Sequence, residues 1–266
     1  MQNKTYFNLH NKTIIITGAG GLLGTEHCVS VGRNGANVIA IDKSKKKLKL
    51  LEKILVKEKI NFKSFILDIQ NIKEIKNIKK KIIKDYKKID VLINNAAIDY
   101  KPHKSKKKNN LQKINFKNLK KEFDVGLFGM LYCCQVFGSE MIKKKYGSII
   151  NIASDLSVIA PDQRLYNHLN IEKPISYSII KHGVVGLTKY LASYWGSKKI
   201  RVNCLSPGGI FDNQDMHFTK KIKKLIPLNR MANKQDYHGA IIFLCSDESS
   251  YMTGHNWIID GGRSII

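Results

Sequence analysis

A glycine-rich turn directly after the first strand-like segment is the feature that most restricts the fold of this chain. Residues 12–17 are apolar and β-branched, and a helical pattern covers 22–34. Where a strand turns tightly into a helix, the first backbone N–H groups of the helix are unpaired. They can bind phosphate if no side chain blocks the approach. The sequence therefore predicts a phosphate-binding turn made by Gly18, Gly20, Gly21, Leu22, Leu23 and Gly24.

Strand-like and helical segments alternate along the rest of the chain. Apolar β-branched runs predict strands at 12–17, 37–41, 62–67, 90–94, 147–152, 201–205 and 257–259. Helical patterns lie between them at 22–34, 45–59, 72–87, 119–145, 178–195 and 235–245, and the polar stretch 103–110 predicts a surface loop. Strands separated by helices form a parallel sheet with right-handed crossovers. We expect the α/β class, with one doubly wound Rossmann domain over 1–266, about seven parallel strands and helices on both faces.

Composition limits the possible environments of this domain. The chain has 266 residues and 43% apolar residues, enough for one large domain with a buried core. No run approaches the roughly 20 apolar residues of a membrane span, and a strand begins too early to leave room for a signal peptide. We expect a cytoplasmic protein with no membrane partner. The five cysteines lack metal-binding spacing, so they predict free, buried thiols and no metal site.

The net charge of +25, from 46 Lys and Arg against 21 Asp and Glu, is the unusual feature of the composition. Such a charge can indicate nucleic-acid binding. Here the lysines are scattered through 43–63, 73–88, 101–121 and 143–145, without interleaved aromatic residues or a nucleic-acid-binding motif. We therefore favour lysines on solvated faces and no nucleic-acid partner. The positive field should still favour an anionic small-molecule substrate.

An acidic residue, Asp42, ends the second predicted strand, eighteen residues after Gly24. A carboxylate at this position accepts hydrogen bonds from the adenosine ribose hydroxyls of NAD and repels the 2′-phosphate of NADP. We therefore expect NAD(H) to be preferred. The nearby cations Arg33, Lys43 and Lys45 weaken the repulsion and leave NADP(H) possible. The alternative role of this carboxylate is to cap the helix that follows.

Tyr177 and Lys181 lie four residues apart near the start of a predicted helix and so share one face. A tyrosine hydroxyl, with a pKa of about 10, is a poor acid or base at neutral pH. A neighbouring ammonium group stabilises the phenolate, which makes proton exchange with an alcohol or carbonyl feasible. The spacing alone is common on helix faces, so its meaning depends on the other motifs of the chain.

Six motifs follow one another in a fixed order: the glycine turn, 94–97, 151–154, the pair Tyr177 and Lys181, 206–209 and 260–262. Together they resemble the short-chain dehydrogenase/reductase family over nearly the whole chain. The resemblance implies hydride transfer to or from NAD(P), with Tyr177 as general acid/base, Lys181 lowering its pKa and holding the nicotinamide ribose, and Ser154 binding the substrate oxygen. It further implies cofactor contacts at Asp68, Ile69, Asn95, Ala96, Pro207, Gly208 and Ile210. It also implies a homodimer or homotetramer, paired through the helices at 119–145 and 178–195.

The chain departs from the family pattern at three places. Leu22 replaces the middle glycine of the turn, and Gly126 replaces an asparagine that bends a helix and anchors a water molecule for the proton relay to Lys181. Ser154 and Tyr177 are 23 positions apart, which is longer than is usual in the family. The insert, at 163–174, should lie beside the substrate, since binding loops carry specificity. The substrate loops are thus expected around 155–176 and 209–232.

A finer resemblance concerns the substrate. The runs 153–163 and 206–214 are similar to dehydrogenases of bacterial surface-sugar loci, tied to flagellin modification and legionaminic-acid-type sugars. Hydrogen-bonding groups suited to a polyhydroxylated substrate occur at Asp155, Gln163, Arg164, Asn213 and Gln214. Arg164 or Arg230 could hold a phosphate bidentately. The resulting prediction is an NAD-dependent oxidoreductase of a hydroxyl or keto group on a phosphorylated or nucleotide-linked sugar in surface-glycan biosynthesis.

Two other functions stay open on the sequence. One is a reductase of 3-oxoacyl thioesters or a general carbonyl reductase, although the polar and basic character of the segment from Pro207 to Ala232 disfavours an acyl pocket. The other, of a different class, is a catalytically idle cofactor-binding protein. The absence of the family's asparagine at Gly126 suggests it, and the presence of Ser154, Tyr177 and Lys181 disfavours it.

Overall fold

Seven parallel strands form the centre of the fold in the computed structural model, which describes residues 6–99 and 111–266. The strands are β1 (Thr13–Thr17), β2 (Asn37–Asp42), β3 (Phe62–Ile66), β4 (Val91–Asn94), β5 (Gly147–Ile152), β6 (Ile200–Pro207) and β7 (Asn256–Ile259). Their order across the sheet is β3-β2-β1-β4-β5-β6-β7. The predicted fold class, a doubly wound domain with a seven-stranded parallel sheet, is confirmed. The predicted loop at 103–110 lies outside the described residues.

Eight α-helices are found in the described ranges, and they cover both faces of the sheet. They are α1 (Leu22–Arg33), α2 (Lys45–Lys57), α3 (Ile72–Tyr86), α4 (Phe116–Phe123), α5 (Met130–Lys144), α6 (Ile175–Trp195), α7 (Met216–Lys223) and α8 (His238–Cys245). Successive residues of β1 point to opposite faces, with Ile15 in one core beside α3, α5 and α6, and Ile14 and Ile16 in the other beside α1, α2 and α8. A strand buried on both faces has no polar side, which explains its uninterrupted β-branched sequence.

The strand order reverses at β1, which lies between β2 and β4. Thr17 at the end of β1 pairs with Ile41, and Ile16 pairs with Ile93, so these three strands end at the same edge of the sheet. Ligands of doubly wound folds bind in the crevice at such a switch point, outside the carboxyl ends of the strands. The register therefore brings the glycine turn, Asp42 and Asn95 to one place.

The predicted helix 119–145 is a longer run, Phe116–Lys144, in which a π-helical turn (Asp124–Gly129) joins α4 to α5. By length and composition this run is long and apolar enough to cross a membrane, although polar residues interrupt its apolar sequence. In the fold it is a core helix, since Cys133, Phe137 and Met141 are fully buried against the sheet. All five cysteines are buried and unpaired, as predicted.

Two helix starts and one unpredicted α-helix are the differences from the sequence prediction that affect the site. α6 begins at Ile175, after Pro174, and the helix predicted at 235–245 starts as a 3-10 turn before α8. α7 was not predicted, because five of its positions are His, Thr or Lys and the helix is only eight residues long. Its apolar side joins residues of the insert in a third, smaller core, which contains Leu165, Tyr166, Phe218, Ile222, Ile226 and Met231. The two expected substrate loops therefore pack against each other.

Candidate active site

A cavity of about 720 Å³ runs along the carboxyl ends of the strands, from the glycine turn to α6. It brings together most of the residues that the sequence singled out. These are Gly18, Gly20, Gly21, Leu22, Leu23, Asp42, Asp68, Ile69, Asn95, Ala96, Ser154, Asp155, Tyr177, Lys181, Pro207, Gly208, Ile210 and Gln214. Gly24 lies behind the lining. Gln163, Arg164, Asn213 and Arg230 are not part of it.

The glycine turn needs its small residues for two different reasons. Gly18 has a φ of +62°, and a Cβ there would lie 2.7 Å from Ala96 Cα. At Gly24 a Cβ would lie 2.1 Å from the Gly18 carbonyl oxygen, so the turn could not close. Asn95 holds the turn from the side, since its Nδ2 donates to the carbonyls of Thr17 and Gly18, each at 3.1 Å. The N-terminus of α1 has no side-chain cap. Its backbone N–H groups can therefore bind an anion.

Asp42 closes the other end of the turn. Its carboxylate is 8% exposed and accepts hydrogen bonds from Gly20 N (3.0 Å) and Ser44 N (2.9 Å). The N-cap of α2 is Ser44, whose Oγ accepts from Lys47 N at 3.3 Å. The alternative role of Asp42 as the helix cap is therefore wrong.

The cations around Asp42 also differ from those expected. Arg33 pairs with Glu58 at 2.8 Å, away from the cavity. Lys45 does not line the cavity, whereas Lys43 and Lys47 do. The sequence analysis did not identify Lys47, because only the packing of α2 beside the glycine turn brings this residue to the cavity.

Tyr177 and Lys181 meet Ser154 at the far end of the cavity. The Lys181 ammonium is buried, donates to the Ile152 carbonyl oxygen at 2.9 Å, and lies 5.5 Å from the centroid of the Tyr177 ring. Burial lowers the pKa of Lys181 to about 8, with the Asp99 carboxylate acting in the opposite direction. Burial raises the pKa of Tyr177, and its hydrogen bond with Ser154 opposes this. Proton transfer by Tyr177 near neutral pH thus needs positive charge close to its ring.

Ser154 is held by a buried ion pair that the sequence did not reveal. Its Oγ donates to Asp155 Oδ1 at 2.7 Å, and Asp155 Oδ2 accepts from Arg263 Nη1 at 2.7 Å. Both oxygens of Asp155 are therefore occupied, and its side chain is 4% exposed. Asp155, predicted to bind substrate, lines the cavity, and in this structure its carboxylate contacts Ser154 and Arg263. The only sequence signal for Arg263 is its position directly after the 260–262 motif.

The insert contributes different residues to the cavity from those predicted. Arg164 pairs with Asp162 at 2.8 Å and its side chain is 84% exposed, so it points into solvent. Gln163 binds the backbone of Lys173, accepting from Lys173 N at 2.9 Å and donating to Lys173 O at 3.1 Å. Tyr166 of the insert lines the cavity, and so does Lys173. Their position inside the insert was the only signal in the sequence.

The second loop shows the same pattern. Gln214 lines the cavity, but its amide nitrogen donates to Ile210 O (2.7 Å) and its oxygen accepts from Asp212 N (2.8 Å), so it braces the loop. Arg230 pairs with Asp236 at 2.5 Å outside the cavity. Neither arginine proposed from sequence for phosphate binding is at the site. Among the residues that the structure describes, the cations lining the cavity are Lys173, Lys181 and Arg263, besides Lys43 and Lys47 near the glycine turn.

Gly126, where the family has asparagine, lies in the π-helical turn. A Cβ at this position would be 2.8 Å from Ile180 Cγ2, so the glycine allows α6 to approach closely. Ile180 directly precedes Lys181. Glycine at position 126 therefore leaves room for Ile180, the residue next to Lys181.

A parallel sheet with a glycine turn at its switch point, joined by one cavity to a tyrosine–lysine pair, defines an NAD(P)-binding oxidoreductase of the Rossmann type. A family model described as enoyl-(acyl carrier protein) reductase matches residues 23–264. The chain belongs to the short-chain dehydrogenase/reductase family.

Named relatives cover almost the whole chain. It is 31% identical to the post-translational flagellin modification protein A of Campylobacter coli, over 96% of this chain and 98% of that protein. It is also 31% identical to the 3-oxoacyl-[acyl-carrier-protein] reductase FabG of Thermotoga maritima, over 97% of this chain and 99% of that protein. A crystal structure of a gluconate 5-dehydrogenase from Burkholderia cenocepacia in complex with NADP and tartrate superposes with a TM-score of 0.86 at 24% identity, covering 98% of each chain, which shows the shared fold.

Proposed function

We propose that this protein is an NAD-preferring dehydrogenase or reductase of a hydroxyl or keto group on a phosphorylated or nucleotide-linked sugar in surface-glycan biosynthesis. The observation that carries the proposal is the single cavity joining the glycine turn and Asp42 to Ser154, Tyr177 and Lys181. The finer resemblance to sugar-locus dehydrogenases and the similarity to flagellin modification protein A support the sugar assignment.

The residues at the glycine turn fit a dinucleotide. A Cβ at Gly18 or Gly24 would fill the space where backbone and phosphate must approach, and the uncapped N-terminus of α1 supplies N–H donors. Asp42 stands where ribose hydroxyls would bind, which supports NAD over NADP. Asp68, Ile69, Asn95, Ala96, Pro207, Gly208 and Ile210 would line the rest of the cofactor site.

The proton step follows from the groups around Tyr177. The bound nicotinamide supplies the hydride acceptor or donor at C4. In alcohol oxidation, the Tyr177 phenolate would take the hydroxyl proton as the hydride leaves carbon; in carbonyl reduction, the Tyr177 hydroxyl would return it. The Lys181 ammonium stabilises the phenolate. Ser154, fixed by Asp155, would keep the substrate oxygen next to the tyrosine.

The overall charge of the chain, more than the lining of the cavity, supports an anionic substrate. Lys173 and Arg263 both line the cavity, but each is paired with a carboxylate, Asp99 and Asp155 respectively. The overall charge of +25 adds a field that attracts anions from solution. A phosphorylated or nucleotide-linked sugar meets these conditions.

Reduction of 3-oxoacyl thioesters is the second candidate, and one observation favours it. Phe218, Ile222 and Met231 present apolar surface to the cavity from the second loop, which the polar composition of that segment concealed. The similarity to FabG points the same way. An apolar wall of this kind suits an acyl chain better than a sugar.

A substrate panel with NAD⁺, NADH, NADP⁺ and NADPH separates these candidates. Turnover of sugar phosphates or nucleotide sugars, with acetoacetyl thioesters inactive, is the expected result; the reverse result selects the second candidate. Tyr177→Phe tests the class of the protein. We expect it to bind NADH normally but to lose activity by at least about 100-fold, the ordinary contribution of general acid–base catalysis. A variant as active as the parent would mean that Tyr177 does not transfer the proton.

We also propose a homodimer or homotetramer, paired through α5 and α6, in the cytoplasm. The apolar side chains Leu131, Ile179, Tyr190 and Tyr194 are exposed on these two helices, and the rings of Tyr190 and Tyr194 stack at 5.9 Å. Exposed apolar side chains on neighbouring helices support an interaction site there. Light scattering of the purified protein gives the number of subunits, and Tyr190→Glu together with Tyr194→Glu should reduce it.

A further inference from the structure

The ammonium group of Lys173 stands over the ring face of Tyr177. Its Nζ is 3.7 Å from the ring centroid, closer than the Nζ of Lys181 at 5.5 Å. The same Nζ is 2.7 Å from Asp99 Oδ1, and the Lys173 side chain is only 12% exposed. The pair joins the insert to the segment after β4, across the residue proposed to transfer the proton.

The position of Lys173 is imposed by the backbone. Gln163 binds both its N–H and its C=O, which closes the insert on itself. Pro174 follows directly and is the N-cap of α6, whose third residue is Tyr177. The backbone of Lys173 is therefore held four residues before Tyr177 by these hydrogen bonds and by the start of the helix, and its ammonium group pairs with Asp99.

The charged and titratable groups that face Tyr177 come from several elements. Within the described ranges they are Lys173 and Tyr166 on the insert, Lys181 on α6, Asp99 after β4, and Asp155 after β5, which Arg263 neutralises. Asp99 is 53% exposed and is the acid nearest to Lys173. The electrostatic balance at the phenol thus rests on two ammonium groups and one accessible carboxylate.

We propose that Lys173 and Asp99 are positioning residues that set the proton affinity of the Tyr177 hydroxyl, Lys173 by stabilising the phenolate and Asp99 by limiting this stabilisation. The inference rests on the proposed role of Tyr177 and adds a second cation to the one that the family supplies. A cation on the ring face attracts the π system in either state, and it attracts the phenolate more strongly because the phenolate carries a full negative charge.

The test is the pH dependence of alcohol oxidation with NAD⁺, using any alcohol accepted in the substrate panel. We expect Lys173→Met to move the acidic limb to higher pH by about 1 unit, and Asp99→Asn to move it to lower pH by a similar amount. The double variant should lie between them, and Lys173→Arg should restore the parent profile. A purely structural role would lower activity without moving the limbs in opposite directions.

Ultraviolet titration of tyrosinate in the NAD⁺ complex gives a readout that needs no substrate. The Tyr177 component, obtained by subtracting the Tyr177→Phe titration, should move in the same two directions. Lys63 offers a matched control: it pairs with Asp85, lies 5.8 Å from the Phe65 ring centroid, and is outside the cavity. Lys63 and Asp85 also act on the pKa of Tyr86, so Tyr177→Phe is subtracted in the same variant background. With that subtraction, Lys63→Met and Asp85→Asn should leave the acidic limb and the Tyr177 component unchanged.

The two proposals fail in different ways. If Tyr177→Phe keeps the parent activity, the proposed function itself is wrong. If Tyr177→Phe is inactive but Lys173→Met and Asp99→Asn leave the limb in place, or move it in the same direction, only the role of this ion pair is wrong. Circular dichroism shows whether each variant is folded. If Lys173→Met does not fold, the shift of the acidic limb in Asp99→Asn decides the proposal.

Discussion

Arg263 and Asp155 form a buried ion pair that connects the segment after β7 to the residue next to Ser154. Their Nη1 and Oδ2 atoms are 2.7 Å apart, and the side chains are 7% and 4% exposed. The second oxygen of Asp155 accepts the Ser154 hydroxyl. The orientation of Ser154 therefore depends on Arg263, which lies 108 positions after Asp155 in the chain.

Removing the arginine should destabilise the protein. Arg263→Met leaves the Asp155 carboxylate buried without its counter-ion, and breaking such a pair costs about 3–5 kcal/mol. We expect urea denaturation to show a loss of this size, together with lower kcat because Ser154 is less well oriented. Arg33→Met is the matched control, since Arg33 and Glu58 form an exposed pair, and its unfolding midpoint should barely change. Equal effects of the two variants would contradict the role of the buried pair.

Asp42 should determine the choice of cofactor. Fluorescence titration of the parent should give tighter binding of NADH than of NADPH, because the carboxylate repels a 2′-phosphate. The Gly20 and Ser44 N–H groups donate to different oxygens of the Asp42 carboxylate, so Asp42→Asn keeps an acceptor for one of them and removes the charge. We expect it to bind NADPH about tenfold more tightly than the parent does, a change of about 1.4 kcal/mol. A parent that prefers NADPH would overturn this assignment.

Gly126 should tolerate a larger residue poorly. Alanine favours a helix over glycine by about 1 kcal/mol, but a Cβ at Gly126 would lie 2.8 Å from Ile180 Cγ2, and overpacking costs about 1–3 kcal/mol. Gly186 on α6 is the control, because a Cβ there meets no atom within 4 Å. In thermal or urea unfolding, Gly186→Ala should stabilise the protein and Gly126→Ala should not. If Gly126→Ala stabilises the protein, Ile180 on α6 can move aside at little cost and the close packing is not a constraint.

Lys181 should make stability depend on pH in the alkaline range. Burial lowers its pKa from 10.5 to about 8, so the unfolded chain binds more protons between these two values. The contribution of Lys181 to the free energy of unfolding therefore rises with pH between about 8 and 10.5. Below about pH 8 the buried lysine is charged, and the full cost of burying that charge lowers the stability. Relative to Lys181→Met, the parent should gain up to about 3 kcal/mol over this window. Urea denaturation curves at several pH values measure the difference; parallel curves would contradict the burial of the charge.

Some parts of the site followed from the sequence because they depend on neighbours along the chain. The glycine turn and the spacing of Tyr177 and Lys181 are local, and strand and helix periodicity placed them at element ends. The insert was also located correctly, but its residues were not. Gln163 and Arg164 were expected in the cavity, whereas the packing of Leu165 and Tyr166 against α7 turns Arg164 outward and leaves Lys173 facing Tyr177.

The sequence by itself determined the class of fold and the common helix face of Tyr177 and Lys181, because hydrophobic periodicity and four-residue spacing act over one or two helical turns. Only the tertiary structure decided which charges meet. Lys173 reaches Asp99 over 74 positions and Arg263 reaches Asp155 over 108. Which residues form such a pair depends on the register of the strands and the packing of the loops. The residue types along the chain do not reveal these two features.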